Sequence, residues 1–541
     1  MTSQNTESIY FALSEAAKKW PNRDLINVLE TTAEIYKIRP EKLSYNRAIQ
    51  KIELLADKFR SAGFQRGMRI AILLENRPDF FLFWMAFNKL GISVVPINPD
   101  LRLMEIEYLV EHSEPSLIIS IEARHLELKK AVAKAKLDID IIGPNSAPNS
   151  PRPNSIVAKI VSKEKLREAA LLYTSGTTGK PKGCVLSNNY FLNAGEWYAN
   201  IGGFAKLSLD GERMITPLPL FHMNAIAYSF MAMIAVGGCL TVLDRFHPTT
   251  WWADVREAKA TIIHYLGIMP SLLMATANKD ADAKHDVRFG FGAGVDPKLH
   301  SKFEERFGFP LIEAWAMTET GAGAVIADNG WNRTTGRSCL GIPSKKMECK
   351  IVDEFGNCVP CGQPGELLVR SAKKHPKSGF FSYYYKDPEA TAESWRGGWF
   401  HTGDLVRKNN AGEIFFVDRK KNIIRRSGEN IAAIEVESIL MKHSEIKAAA
   451  VTAVNDELRG DEVFAFLMTH DQTQEKAFEI ISWCLSQMAY YKVPGYVAFV
   501  EKIPLTSTQK IQRSELKELA KKLLLENSVI NTIHLKKRTL A

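Results

Sequence analysis

Segment 171–183 reads Leu-Leu-Tyr-Thr-Ser-Gly-Thr-Thr-Gly-Lys-Pro-Lys-Gly and gathers hydroxyls, glycines and lysines directly after a β-favouring apolar run. That order predicts a strand ending in a mobile loop. Ser175, Thr177 and Thr178 offer hydroxyl donors, and Gly176, Gly179 and Gly183 let backbone N–H groups turn toward a ligand. Lys180 and Lys182 add positive charge, so the guest such a loop suits is a polyphosphate. The G-x-x-x-x-G-K-[ST] spacing of a Walker A loop is not there. A solvated surface turn would have the same composition, and the loop alone does not separate the two readings.

The loop resembles the phosphate-binding signature of the adenylate-forming superfamily of acyl-CoA synthetases, peptide-synthetase adenylation domains and luciferases, ungapped across 174–183. The resemblance implies ATP contacts from Thr174, Ser175, Gly176, Thr177, Thr178, Gly179, Lys180 and Lys182. Segment 313–319, Glu-Ala-Trp-Ala-Met-Thr-Glu, is similar to the aromatic-Gly-x-Thr-Glu motif. It implies Trp315 on adenine, Thr318 at the α-phosphate and Glu319 on Mg²⁺, a hard ion that bridges carboxylate to phosphate. Ala316 replaces the usual Gly, and its methyl should narrow the acyl pocket. Segment 290–297 resembles the adenine-side loop, with Gly292, Ala293 and Gly294, although such glycines also suit an ordinary turn. Leu-Pro-Leu-Phe-His at 218–222 resembles the motif whose His flanks the acyl site, giving His222 with Phe221 and Asn224; a structural His reads equally well there.

Segment 398–404, Gly-Trp-Phe-His-Thr-Gly-Asp, is similar to the ribose motif, where Asp404 accepts from both ribose hydroxyls. Val-Asp-Arg-Lys-Lys at 417–421 resembles the hinge motif, with Arg419 toward ribose or phosphate and Lys421 at the pivot. Segment 425–431 resembles the thiolation loop and places Gly428 and Glu429 by the CoA channel; by composition alone 419–426 is a solvated charge cluster. Segment 504–513 resembles the C-terminal motif whose lysine is essential for adenylation, here Lys510, preceded by Gln509 where Gly is usual. These motifs cover nearly the whole chain in family order. The wording of 416–437 and 491–495 is most similar to crotonobetaine/carnitine-CoA ligases and related small-acid CoA ligases.

The reaction implied is ATP-dependent acyl-CoA ligation: a carboxylic acid is adenylated, pyrophosphate leaves, and the acyl group passes to CoA. Loading of a carrier-protein phosphopantetheine would share the first half-reaction. Luciferase-like oxidation and a catalytically dead nucleotide sensor are further alternatives. For a betaine substrate the candidate cation contacts are Glu196, Trp197, Tyr198 and Tyr228, against a reading of Glu196 as solvent-facing and the aromatics as core.

To place these residues the chain of 541 must form more than one core. Apolar strands alternate with amphipathic helices through 69–74, 80–90, 93–97, 105–111 and 117–120, which predicts an α/β architecture of layered, mostly parallel sheets. Beyond about Asp418 the elements are expected to shorten into a small mobile α+β module, dividing the chain into 1–419 and 420–541. Segment 226–243 predicts a buried helix that turns at Gly237 and Gly238 into a strand, and 353–365 a polar hairpin carrying Cys358 and Cys361. Seven cysteines without repeat spacing suit a reduced, cytoplasmic setting. The formal charge of +9 carries no nucleic-acid module, and no signal peptide or integral membrane segment is read. Lys536, Lys537 and Arg538 read as a basic tail, and a homodimer is compatible with the sequence.

Overall fold

A computed structural model describes residues 7–152, 163–174, 180–419, 423–504 and 513–537. Two large sheets form the body. The first has eight strands centred on Arg213–Thr216 and Ile262–Leu266, parallel except for its edge strands Glu41–Ser44 and Ile326–Ala327. Its neighbours Phe289–Ala293 and Leu311–Trp315 bring the 290–297 and 313–319 motifs side by side, with Gly292 opposite Glu313. The second has seven strands, with Arg69–Leu73 paired in parallel to both Ser93–Pro96 and Leu117–Ser120.

These central strands are buried along their whole length, which is why they read as continuous Val/Ile/Leu runs with no alternation. Helix Asp79–Leu90 lies between the layers with nine consecutive buried residues, Phe80 to Asn88. The α/β expectation holds. The addition is a third, wholly antiparallel sheet of five strands, from Cys339–Gly341 to Met347–Val352 at its edges. The 353–365 hairpin joins two of its strands, Met347–Val352 and Gly365–Ser371, with Cys358 and Cys361 exposed and unpaired.

The 226–243 reading also holds in outline. A π-helical turn, Asn224–Phe230, runs into helix Met231–Val236, then Gly237 at φ +67° and strand Cys239–Val242. A Cβ on Gly237 would lie 2.3 Å from the Trp20 ring, so the turn needs glycine on two counts.

Strand Ile414–Arg419 belongs to the antiparallel sheet, whereas Ile423–Arg426 already pairs with Gly460–Met468 in a fourth sheet. Here one expectation fails. Strands Ala448–Asp456 and Gly460–Met468 are nine residues each, as long as any in the chain. They form one hairpin whose faces serve different cores. Val451, Val463 and Ala465 pack toward helices Ala433–Leu440 and Gln474–Gln487, while Ala450, Phe464 and Phe466 pack toward helix Arg513–Leu525. Burial on both faces, not size of the module, sets strand length. The supposed basic tail is corrected as well: the Lys536 side chain is fully buried against Glu462.

Candidate active site

The 168–174 and 182–187 strands pair antiparallel with Thr174 opposite Lys182, so they carry the two ends of the predicted phosphate loop. Ser175 to Gly179 lie outside the described residues. Thr174, Lys180 and Lys182 face one cavity of about 1070 Å³. The Lys182 ammonium lies 5.0 Å from the Tyr384 ring centre and Lys180 lies 5.1 Å from that of Tyr108, which leaves both cations on aromatic faces.

Thr318 and Glu319 border the same cavity. Both are held from behind. The Tyr190 hydroxyl donates to the Thr318 carbonyl at 2.9 Å, and the Tyr384 hydroxyl donates to Glu319 Oε1 at 2.8 Å. Burial, with Glu319 beside it, raises the Tyr384 hydroxyl far above its ordinary range, so it keeps its proton and remains a donor. Phe221, His222, Asn224 and Ala316 also border the cavity.

Trp315 and Asp404 are buried behind this wall and joined to each other. The indole Nε1–H donates to Asp404 Oδ2 at 2.8 Å. Gly292 packs against the neighbouring strand, where a Cβ would come within 2.2 Å of the Tyr265 carbonyl oxygen. Gly294, at φ +79°, turns the chain, and Glu313 accepts from Val295 N–H just beyond it at 3.2 Å. Ala293, between them, ends the strand and is exposed. Arg419 ends its strand opposite Asp404. Lys421, Gln509 and Lys510 lie outside the described residues.

The turn of the 423–432 hairpin enters the cavity from the other side. Gly428 has φ +87°, and a Cβ on it would meet the Leu266 side chain at 2.3 Å. Glu429 Oε2 lies 3.5 Å from His222 Nε2.

Sequence reasoning missed an ion cluster that borders the same cavity as this turn. Lys492 Nζ lies 2.6 Å from Glu105 Oε1 and 2.6 Å from Glu435 Oε1, and all three side chains are less than a tenth exposed. Glu105 Oε2 accepts from Ala489 N–H and from Arg102 N–H, each at 3.0 Å, and Asn98 donates to the Tyr491 hydroxyl at 2.8 Å. Its only trace in the sequence is the Tyr-Lys-Val-Pro run at 491–494, which carries no signature of an ion cluster. Of the betaine candidates, Glu196 is exposed, while Tyr198 and Tyr228 are core residues.

A profile of the AMP-binding enzyme family matches residues 13–384, and one of the AMP-binding enzyme C-terminal domain matches 435–510. The chain belongs to the AMP-binding enzyme family. Within that family, a crotonobetaine/carnitine–CoA ligase of Salmonella paratyphi A is 28% identical over 497 residues, 88% of this chain and 93% of the relative. Among solved members of the fold, a double mutant of Bacillus subtilis o-succinylbenzoate CoA synthetase, bound to its product analogue, superposes with a TM-score of 0.78 at 23% identity. That pairing covers 94% of this chain and 98% of the other. The same enzyme in complex with its acyl-adenylate intermediate gives 0.64, with 94% and 97% covered at 23% identity. An amide bond synthetase of Marinactinospora thermotolerans gives 0.77 at 22% identity, covering 94% and 99%. Among the described residues, no helix of this family member is long and apolar enough to cross a membrane.

Proposed function

We propose that this AMP-binding enzyme is an ATP-dependent acyl-CoA ligase acting on a small carboxylic acid, built as two units, 1–419 and 420–541. What carries the reading is one cavity shared by two sets of groups. Thr318, Glu319 and the lysines beside the phosphate loop come from one unit, and the Gly428–Glu429 turn comes from the other.

A carboxylate does not acylate a thiol directly, because oxide is too poor a leaving group. The acid oxygen attacks the α-phosphorus of ATP, pyrophosphate departs, and the acyl-AMP formed is a mixed anhydride. The CoA sulfur then attacks the acyl carbon and AMP leaves. The protein's part is positioning and charge neutralisation. Lys180, Lys182 and the 175–179 loop take the departing pyrophosphate. Lys510 stabilises charge between carboxylate and α-phosphate in the first step, and the second unit then turns about Lys421 to present Gly428. Trp315, Asp404 and Arg419 serve the adenosine, Gly292 to Gly294 its base, and Phe221, Asn224 and Ala316 the acyl chain, with His222 between acid and thiol.

Glu319 suits magnesium, which takes one or two protein carboxylates and completes its shell with phosphate oxygens and water; bound there, it would offset phosphate charge. Tyr384 fixes the carboxylate for that task.

Gly428 and Glu429 border the cavity, which supports reading the described arrangement as the CoA-facing one. Lys510→Ala should abolish acyl-AMP formation and leave thiolation of supplied acyl-AMP largely intact. Loss of both half-reactions together would refute the role given to Lys510.

A further inference from the structure

His264 stands out in strand Ile262–Leu266 as a fully buried imidazole among apolar neighbours. The Tyr198 oxygen lies 3.0 Å from its Nε2, and Asn224 Oδ1 lies 2.7 Å from its Nδ1. Ser229 Oγ is 2.9 Å from the same Nδ1 and donates to the Asn224 carbonyl at 3.3 Å. Burial pushes the imidazole down to about 3, so it is neutral and carries one proton.

Only one tautomer satisfies every group. The buried Tyr198 hydroxyl has no other acceptor among the described residues, so it donates to Nε2. The imidazole proton is therefore on Nδ1 and is donated to Asn224 Oδ1, with Ser229 Oγ as a second acceptor. The Asn224 amide is fixed by this chain with its oxygen turned inward. Its nitrogen is left as a donor that meets no described residue, and Asn224 borders the cavity alongside Leu218, Ala316 and Met317.

We propose that Asn224 is a fixed amide donor at the acyl end of the cavity and selects small carboxylic acids that carry an acceptor oxygen (hydroxyl, keto or ether) beyond the carboxylate. Tyr198 and His264 are its positioning residues. The proposal rests on the acyl-CoA ligase reading and adds a substrate class to it. A buried donor left unmet by a carbon-only acid disfavours that acid by the cost of one unsatisfied polar group, about ten- to a hundredfold in kcat/KM.

The test is acid-dependent ATP–pyrophosphate exchange with matched pairs, butyrate against 3-hydroxybutyrate and valerate against 4-oxovalerate. In the wild-type protein at least one oxygen-bearing acid should exceed its carbon-only partner about tenfold or more. Asn224→Leu should collapse that ratio, and Tyr198→Phe should lower it by about three- to tenfold through loss of the tautomer lock. The near-isosteric Asn224→Asp, which turns an acceptor toward the substrate, should invert the ratio for the keto pair, 4-oxovalerate against valerate, while the hydroxyl of 3-hydroxybutyrate can reverse its role and donate. A merely structural role would lower both members of a pair together. Ratios near one in the wild type, a ratio unmoved by Asn224→Leu, or a keto-acid preference that survives Asn224→Asp would overturn the proposal while leaving the ligase standing. No acid-dependent exchange with any acid would overturn the ligase reading and the selection with it.

Discussion

Two buried charge clusters in this protein are near mirror images. At the junction between the body and the C-terminal module, Lys492 sits between Glu105 and Glu435, one cation for two carboxylates. Inside the module, Glu462 sits between Arg426, at 2.8 Å, and Lys536, one carboxylate for two cations. Burial pushes both lysines toward neutrality. At Lys492 the two carboxylates more than reverse that and hold the ammonium above its usual range. At Lys536, Glu462 offsets only part of the burial cost, Arg426 adds to it, and the group falls to about 7. The same side chain in equal burial is therefore a firm cation at the junction and a titrating group in the interior. The majority charge around each lysine decides which. A cluster that needs both surfaces to be complete ties conformation to charge, whereas one within a single fold affects only its stability.

The largest effect that could break this comparison is Lys492→Met. It leaves Glu105 and Glu435 buried without a cation, a loss of about 3–5 kcal/mol. Thiolation of supplied acyl-AMP should fall on the order of a hundredfold or more, with acyl-AMP formation within a few fold of wild type. An equal loss in both half-reactions would make the cluster a stability element like its counterpart. Gly428→Ala comes next. The residue's φ of +87° and its approach to Leu266 both penalise a Cβ, so thiolation should drop about tenfold to a hundredfold, again with adenylation spared.

The interior cluster should show itself in pH dependence. A lysine lowered from its ordinary value to about 7 binds fewer protons folded than unfolded between pH 7 and its unfolded value near 10.4. Stability should therefore rise with pH across that window, by about 1.4 kcal/mol per pH unit from this group, and its contribution should be flat below it. In Lys536→Met that rise should vanish, which chemical denaturation at pH 7, 8 and 9 would read out. Lys492 works with the opposite sign: its contribution is fully present below the unfolded value and is lost only at strongly alkaline pH. The smallest effect is Tyr384→Phe. Losing one donor to Glu319 should weaken the apparent affinity for Mg²⁺ by roughly threefold to tenfold, without the half-reaction split seen for Lys492→Met.

What was legible in the sequence follows the same division. The strands that flank the phosphate loop, the 313–319 segment and the 353–365 hairpin are each contiguous, so residue type and order carry them. Buried parallel strands were legible as unbroken apolar runs. Glu105 and Lys492 are 387 positions apart and each reads as an ordinary charge on an exposed face. Lys536 sits among other basic residues and reads as solvated. His264 is one polar residue in an apolar strand, and only its partners Tyr198 and Asn224, from two other elements, give it meaning. The length of the 448–468 hairpin is not legible, because a strand buried on both faces gives no alternation from which to gauge it.

The most direct test of the central claim is AMP release from ATP across a panel of carboxylic acids, with and without CoA, with the thioester measured in the same samples. The panel should include carnitine, crotonobetaine, short hydroxy and keto acids, fatty acids and aryl acids. An acyl-CoA ligase predicts AMP and acyl-CoA in equal amounts, dependent on one class of acid and on CoA together. Acyl-AMP that accumulates while no thioester forms with any acid would contradict it.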